Sequence, residues 1–328
     1  MKTGTLFNFR LSRRYFALIG IIVFIWGAFS IADSAYLSFG NVRDIFLDIS
    51  IPVVFALGMG VVLAGGGIDM SIGHIGSFSA VIAALLLVKG QLSVSVSIIA
   101  GLLTGVATGM FNGIVVSRFG ISSFIATLGT QFILIGIRYW ITGGETINRF
   151  PKVFTEIARG RIVGIPNVVI YMLIAVIALL FLMEKTVFGR RIQAVGFNIE
   201  ASRLSGINVR NKTMGLFVLS GLFGGIAGVL IASKNSIVTV DVGDGYLLDA
   251  ITMAVFSAVI FGRMKPIGVM LSAVIIIMIT NGMNMLGANP SLINLAKGIM
   301  LLLAVILGRL LNKRKPNQRS RSMDQLKG

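Results

Sequence analysis

The stretch Ile45–Ala64 reads IFLDISIPVVFALGMGVVLA, and the ten residues after it, Gly65–His74, read GGGIDMSIGH. The first stretch is as long and as apolar as a helix that crosses the hydrocarbon core of a bilayer, which takes about 20 residues. The second begins with consecutive glycines, and each glycine inside a helix costs about 1 kcal/mol relative to alanine. The sequence therefore predicts a membrane-spanning helix that is interrupted shortly before Asp69.

Other apolar segments of similar length occur from end to end of the 328 residues. Hydrophobic residues make up 55% of the chain and charged residues only 12%, against about 25% charged in soluble proteins. The mean hydropathy is +0.93. The predicted fold class is all-α, a polytopic membrane helix bundle of about ten transmembrane spans. Besides Ile45–Ala64, the predicted spans are Tyr15–Ile31, Ile75–Val88, Leu92–Val116, Ser122–Ile141, Val168–Met183, Met214–Ala232, Leu247–Phe261, Pro266–Met285 and Ile293–Leu310.

Basic side chains predict the orientation of these spans. With the N-terminus in the cytoplasm, 20 of the 29 Lys and Arg residues fall in cytoplasmic segments, 7 in external segments and 2 within spans. The net charge of +17 therefore follows the positive-inside rule. It does not indicate nucleic-acid binding, because the sequence has no basic patch with interleaved aromatic residues. Both termini are predicted to be cytoplasmic.

A single membrane domain accounts for most of the chain. We predict a cytoplasmic N-terminal tail at residues 1–14, a transmembrane domain at 15–310 and a cytoplasmic basic tail at 311–328, whose charges would lie near anionic membrane lipid. Two connections are long: Thr142–Asn167, predicted external, and about 184–213, predicted cytoplasmic.

Side chains for covalent chemistry are scarce. The chain has no cysteine and one histidine, His74, so the sequence indicates no disulfide, no thiol nucleophile, no metal centre and no cofactor. It also lacks a Gly-x-x-x-x-Gly-Lys-Ser/Thr loop, the phosphate-binding motif of many ATPases. The chain is predicted not to be an enzyme.

The interrupted helix supplies the first candidate site. Non-helical backbone at membrane depth is tolerated only where protein buries it or where it lines a wet cavity, and discontinuous helices build solute sites in transporters. In the alternative interpretation, the segment is an ordinary cytoplasmic turn in which Asp69 caps the next helix. For His74 alone, a packing or hydrogen-bonding role is favoured over proton relay. The candidates for the translocation path or its gate are Gly66, Gly67, Asp69, Ser71, Gly73 and His74.

The long cytoplasmic connection supplies the second candidate site. Asn198 is a favoured N-cap residue and Gly206 a helix stop, so about two turns of helix are predicted between them. Ala201 and Leu204 give this helix a small apolar patch, whereas Glu200 is predicted to be exposed. The patch is covered either by the membrane surface or by a groove on a partner protein.

The long external connection carries a local excess of base. Its four cations outnumber its acidic residues, Glu145 and Glu156. Such charges steer the approach of an acidic partner, so they are the candidates for docking an external protein. They are Arg149, Lys152, Arg159 and Arg161.

Three stretches together resemble a known family. Gly66–Gly73 resembles the Gly-Gly-Ile-Asp-Leu-Ser-Val-Gly signature of the permease subunits of bacterial ABC importers for ribose and other simple sugars. Phe124–Thr130 and Gly189–Val209 resemble stretches of the same family, in the same order. The match runs from about Asn41 to Leu310. The family also includes permeases for autoinducer-2 and for nucleosides.

This resemblance implies a multi-pass inner-membrane permease that moves a sugar or sugar-like solute inward by alternating access. It implies two permease copies, identical or different, two cytoplasmic ABC ATPase subunits and an external solute-binding protein. The helix near Asn198–Leu204 would be the coupling helix that docks on the ATPase. The coupling candidates are Gly196, Asn198, Glu200, Ala201, Leu204 and Gly206.

The main alternative is an ion-coupled secondary transporter of a small polar solute. Such a protein is expected to bury several ionisable residues at mid-span. We interpret most of the ionisable residues in or next to predicted spans as lying near span ends, which disfavours this alternative. They are Asp48, Asp69, Arg138, Asp249 and Lys297.

Overall fold

The computed structural model describes residues 13–313. Residues 1–12 and 314–328, most of the two predicted tails, lie outside the described residues, whereas Arg13 and Arg14 of the predicted N-terminal tail begin the first helix. The described helices are α1 (Arg13–Ala32), α2 (Phe39–Ala64), α3 (Ile72–Ala84), α4 (Val94–Phe119), α5 (Ser123–Thr142), α6 (Lys152–Arg159), α7 (Asn167–Lys185), α8 (Val187–Phe197), α9 (Ile199–Leu204), α10 (Val209–Asn235), α11 (Tyr246–Phe261), α12 (Pro266–Met285) and α13 (Pro290–Lys313).

Short elements complete the chain. A 3₁₀ turn, Ser34–Leu37, precedes α2, and a π-helical turn, Leu85–Lys89, continues α3. The strands β1 (Ile147–Asn148) and β4 (Ile237–Val238) pair antiparallel, as do β2 (Arg161–Ile162) and β3 (Ile165–Pro166).

Each predicted apolar segment coincides with a helix, which confirms the all-α polytopic bundle. Within the described residues, seven helices are long and apolar enough to cross a membrane. The apolar stretches Ile19–Ala32, Tyr246–Phe261 and Pro290–Leu303 are shorter. The count of ten spans therefore stays a prediction.

Helix α2 forms the centre of the bundle. Its residues are buried on every face from Ile49 to Val62, as expected for a helix that is apolar all round. Helices α7, α10, α11 and α12 surround it. Helices α4 and α5 lie further out and expose most of their apolar surface.

Helices α4 and α10 approach each other closely. A Cβ atom added at Gly105 would overlap the carbonyl oxygen of Gly221, and one added at Gly221 would overlap the carbonyl oxygen of Gly105. Small residues at four-residue spacing permit this approach between membrane helices. The contact fixes α10 as a platform against which α2, α3 and α4 all pack.

Candidate functional site

The chain leaves helical geometry between α2 and α3. Gly66 has φ +85°, a conformation that glycine adopts without steric penalty. Two side chains of α5 hold the non-helical segment in place: the Ser123 hydroxyl accepts from the Ile68 amide at 3.1 Å, and the Thr127 hydroxyl accepts from the Met70 amide at 2.9 Å. The predicted interruption is confirmed, and its backbone is tied to a neighbouring helix.

Asp69 lies at the centre of a buried hydrogen-bond network. One carboxylate oxygen accepts from the amide and the hydroxyl of Ser71, at 3.0 and 2.6 Å, and the other accepts from the Ser220 hydroxyl at 2.6 Å. Asn112 Nδ2 donates to the Ser71 hydroxyl at 2.9 Å, and the Thr130 hydroxyl donates to Asn112 Oδ1 at 2.6 Å. The network therefore connects the interrupted helix with α4, α5 and α10.

The Asp69 side chain is fully buried and fully hydrogen-bonded. The residue has no exposed surface, and both of its carboxylate oxygens are engaged by hydroxyl or amide groups. The N-cap residue of α3 is Ser71, whose own side chain makes no capping bond. Asp69 thus orders the entry to α3 and holds α10 at the same time.

A second buried cluster joins α3 and α5 to the turn before α11. Arg138, 1% exposed, pairs with both carboxylate oxygens of Asp244 at 2.8 and 3.0 Å and donates to the Val240 carbonyl at 2.5 Å. His74 Nδ1 lies 3.0 Å from both Arg138 Nη2 and Asp244 Oδ2. Because a guanidinium only donates and a carboxylate only accepts, Nδ1 bonds to one of them at a time.

The same turn approaches the first residues of α3. The Ser77 hydroxyl donates to Asp244 at 2.6 Å and accepts from the Gly243 amide at 2.8 Å. A Cβ atom added at Gly73 would lie 2.8 Å from the Gly243 carbonyl oxygen. The starts of α3 and α11 therefore meet inside the protein, and the predicted candidates Gly73 and His74 both lie at this junction.

The surroundings of Asp244 favour its ionised form. Burial alone raises the pKa of this carboxyl group, but hydrogen bonds from His74, Arg138 and Ser77 and the charge of Arg138 lower it by more, so its pKa lies below the usual value. The Arg138–Asp244 contact is therefore a true ion pair at neutral pH.

The predicted cytoplasmic helix is present as α9. The Asn198 side chain accepts from the Ala201 amide at 2.9 Å, and Gly206 follows the helix with φ +74°. Phe197 and Leu204, at its two ends, are 74% and 88% exposed. The helix is thus capped as the sequence predicted, and the large apolar side chains at its ends are left uncovered by residues 13–313.

Helix α8 touches the interrupted helix directly. A Cβ atom added at Gly196 would overlap the carbonyl oxygen of Ala64, the last residue of α2. A Cβ atom added at Gly66 would lie 3.7 Å from the Gly196 Cα atom. The backbone of α8 therefore rests on the glycine turn at Gly196, two residues before the Asn198 cap of α9.

The four basic candidates that were predicted to be external are exposed, but they are not equivalent. Arg149 and Arg161 lie on the short strands and their turns, and Lys152 begins α6. Arg159 Nε donates to the Lys234 carbonyl at 2.6 Å, so part of its role is to hold α6 against α10.

Sequence reasoning missed several members of these clusters. Arg138 was counted within a span but was not predicted to be paired, and it is buried; Asp249 is likewise 5% exposed. The sequence around Asp244 does contain a signal of a candidate site. Asp244 lies between two glycines, and Asp69 also lies close to a run of glycines. Asn112 and Ser220 offered no such signal.

Comparison with known proteins identifies the family. The family model described as the permease component of the branched-chain amino acid transport system matches residues 41–305. The chain is 32% identical to the D-allose transport system permease of Escherichia coli over 300 residues, 91% of each chain. It is 34% identical to the ribose import permease of Bacillus subtilis over 284 residues, 85% of this chain and 88% of that one.

A third relative is the galactose/methyl galactoside import permease of Haemophilus influenzae, 31% identical over 314 residues, 90% of this chain and 94% of the relative. No solved structure matches the chain. The match to the family model covers most of the chain, and it includes the interrupted helix, both buried clusters and α8–α9. The chain therefore belongs to this family and is a multi-pass transmembrane permease subunit of an ABC importer.

Proposed function

We propose that the chain forms the membrane path of an importer for a monosaccharide or a similar solute, and that it moves this solute inward by alternating access. A separate cytoplasmic ABC ATPase supplies the energy, and an external binding protein delivers the solute. A second permease copy, identical or related, completes the path.

The proposed class of solute is based on the relatives. Their names describe permeases for allose, ribose and galactose, and each aligns with 85–91% of this chain. The family description names branched-chain amino acids instead, so such amino acids are the competing solute class.

Uptake into proteoliposomes tests this proposal. The permease is reconstituted with an ABC ATPase and a solute-binding protein from the same genome that co-purify with it, and D-allose, D-ribose, D-galactose and leucine are tested separately. We expect sugar uptake that requires ATP and survives a protonophore. Uptake of leucine but of no sugar would contradict the solute class, and uptake abolished by the protonophore would favour the ion-coupled alternative.

We also propose that both termini and residues 184–213 are cytoplasmic, and that Thr142–Asn167 is external. Contacts between the connections support their division into two groups, one on each side of the membrane. Strand pairing and the Arg159–Lys234 contact join connections that the charge count makes external. Contacts of Arg263 with Gln193 and Glu184 join connections that it makes cytoplasmic.

The ATPase contact is proposed to lie on α8 and α9. Phe197 and Leu204 supply exposed apolar surface beside a short capped helix, which is the kind of feature that enters a groove on a partner. Ala201 and Glu200 face solvent on the same helix, so a partner reaches them without disturbing the bundle.

Replacing Ala201 by glutamate is expected to uncouple the complex. The added charge would be desolvated in an apolar groove, whereas the exposed position leaves folding of the permease unchanged. Solute-stimulated ATP hydrolysis and ATPase retention during purification measure the effect. The matched control is Ala35→Glu, at an exposed alanine on the opposite side of the bundle. If the two variants show the same ATP hydrolysis and the same ATPase retention, α9 does not lie at the interface.

The contact between Gly196 and Ala64 is proposed to transmit movement of α8–α9 to the interrupted helix. Gly196→Ala forces the two backbones apart, so we expect roughly tenfold less solute moved per ATP hydrolysed, a loss equivalent to about 1.4 kcal/mol of coupling. The control is Gly298→Ala, where an added Cβ meets nothing within 4 Å. A transport-to-hydrolysis ratio unchanged from the control would show that this contact transmits nothing.

The external basic residues are proposed to meet acidic residues of the binding protein. Arg149 and Arg161 are exposed and do not hold neighbouring helices in the described contacts, unlike Arg159. Reversing both charges is expected to slow transport, most strongly at low ionic strength, where exposed charges are least screened. Salt-independent uptake by the double variant would contradict this role.

A further inference from the structure

A small polar cavity lies between α2, α10, α11 and α12, apart from both buried clusters described above. Its volume is about 180 Å³, below the roughly 300–1,000 Å³ of sites for drug-sized molecules. The largest ligand that fits is therefore about the size of a monosaccharide. The polar residues lining it are Asp48, Lys234, Tyr246, Asp249, Thr280, Asn281 and Asn284.

The charges of this cavity compensate each other. Asp249, with 7% of its side chain exposed, pairs with Lys297 of α13 at 2.9 Å, and Asp48 pairs with Lys234 at 3.3 Å. Each carboxylate thus has an ammonium partner, which leaves little net charge to attract a free ion. A neutral ligand is favoured for this reason.

Hydrogen-bonding capacity remains unused in the cavity wall. Asn281 Oδ1 is buried and has no hydrogen-bond partner, a situation that costs about 1–3 kcal/mol until a donor satisfies it. Pro52 lies in the interior of α2 and also lines the cavity. Because proline has no N–H, the Asp48 carbonyl, four residues earlier, lacks its helical partner. Both oxygens can therefore accept a hydrogen bond from a hydroxyl group of a ligand.

One wall of the cavity is aromatic. The ring of Tyr246 is stacked on Phe55, with centroids 5.3 Å apart and an angle of 17° between the rings. An apolar ring face beside amides and compensated charges offers both contact area and orienting groups, the usual composition of a small-molecule site.

From these observations we propose that the cavity binds a small neutral polyhydroxylated molecule, within a single permease copy. Once the Asn281 amide turns toward the cavity, the ligand's hydroxyl groups donate to Asn281 Oδ1 and to the Asp48 carbonyl, while its carbon skeleton rests on Tyr246. The inference rests on the proposed function only for the choice of sugars as probes.

Cysteine protection tests the inference, because the chain has no native cysteine. The full-length permease carrying Asn284→Cys, at the cavity edge, is placed in lipid nanodiscs and labelled with a maleimide in the presence of D-ribose, D-allose or D-galactose. We expect at least one sugar to slow labelling of this variant and to leave Asn148→Cys, on the exposed strand β1, unaffected. Adding Asn281→Leu is expected to weaken protection about tenfold.

The outcomes separate this site from the proposed function. Absence of protection by every sugar overturns the site, even if the complete importer transports a sugar. Equal slowing at positions 284 and 148 also overturns it, because the effect is then not local. Protection that Asn281→Leu weakens supports the site, whatever solute the uptake assay identifies. Protection unchanged by Asn281→Leu, in a variant that still elutes as folded protein, overturns the role given to Asn281 Oδ1.

Discussion

Asp244→Ala is expected to lower the free energy of unfolding of the purified permease by about 3–5 kcal/mol, the usual cost of removing one partner of a buried ion pair. The guanidinium of Arg138 would be left without its carboxylate at a position that is 1% exposed. Ser77 and His74 would lose their shared acceptor as well. Thermal unfolding in detergent, followed by fluorescence, measures the loss.

Two further variants show whether the pair itself is responsible. Arg138→Met combined with Asp244→Ala removes both charges, so it is expected to be less destabilising than Asp244→Ala alone. Asp44→Ala removes the carboxylate of the exposed Arg43–Asp44 pair, which is worth about 0–1 kcal/mol. If Asp244→Ala is no more damaging than Asp44→Ala, the cluster does not hold α3, α5 and the turn together.

The fold was largely predictable because apolar length and charge bias are local properties of the sequence. Pro266–Met285 was predicted with the bounds that the structure gives to α12. The capped helix α9 was predictable for a similar reason, since Asn198 and Gly206 act within a few residues of themselves. The break after Ala64 followed from its glycines alone.

The partners in the buried clusters were not predictable, because they depend on which helices become neighbours. Ser220 lies 151 residues from Asp69 in the chain, and Asp244 lies 106 residues from Arg138. A hydroxyl in an apolar helix usually bonds to its own backbone, so the Ser220 side chain gave no sign of a distant acceptor. Only the packing of α10 against the interrupted helix brings it to Asp69.

These clusters suggest how the permease combines rigidity with movement. The region from Asp69 to Ser77 is held at both ends. Asp69 bonds to Ser220 of α10, and Ser77 bonds to Asp244 in the turn before α11. Between α8 and the glycine turn, by contrast, the contact is backbone against backbone without a side-chain bond. In the proposed coupling, a shift of α8 acts on the turn through this contact while the polar networks keep α3 in register.

Asp69→Leu is expected to abolish transport, and Asp69→Asn is expected to preserve it. Leucine is larger than aspartate and accepts no hydrogen bond, so the Ser71 amide and the hydroxyls of Ser71 and Ser220 lose their buried acceptor, at about 1–3 kcal/mol each. Asparagine keeps one oxygen for Ser71, and its amide donates to Ser220, whose hydroxyl also accepts.

Uptake and thermal unfolding of both variants decide between the structural role and a role in the translocation path. Loss of stability together with loss of transport in Asp69→Leu, with Asp69→Asn close to the unmodified protein, is the result expected from a residue that organises helices. If Asp69→Asn is as stable as the unmodified protein but does not transport, the negative charge itself is needed. A stable, active Asp69→Leu would show that the network around the interruption is dispensable. The expected result follows from burial, because a carboxylate with no exposed surface and three hydrogen-bond donors acts first on its own surroundings.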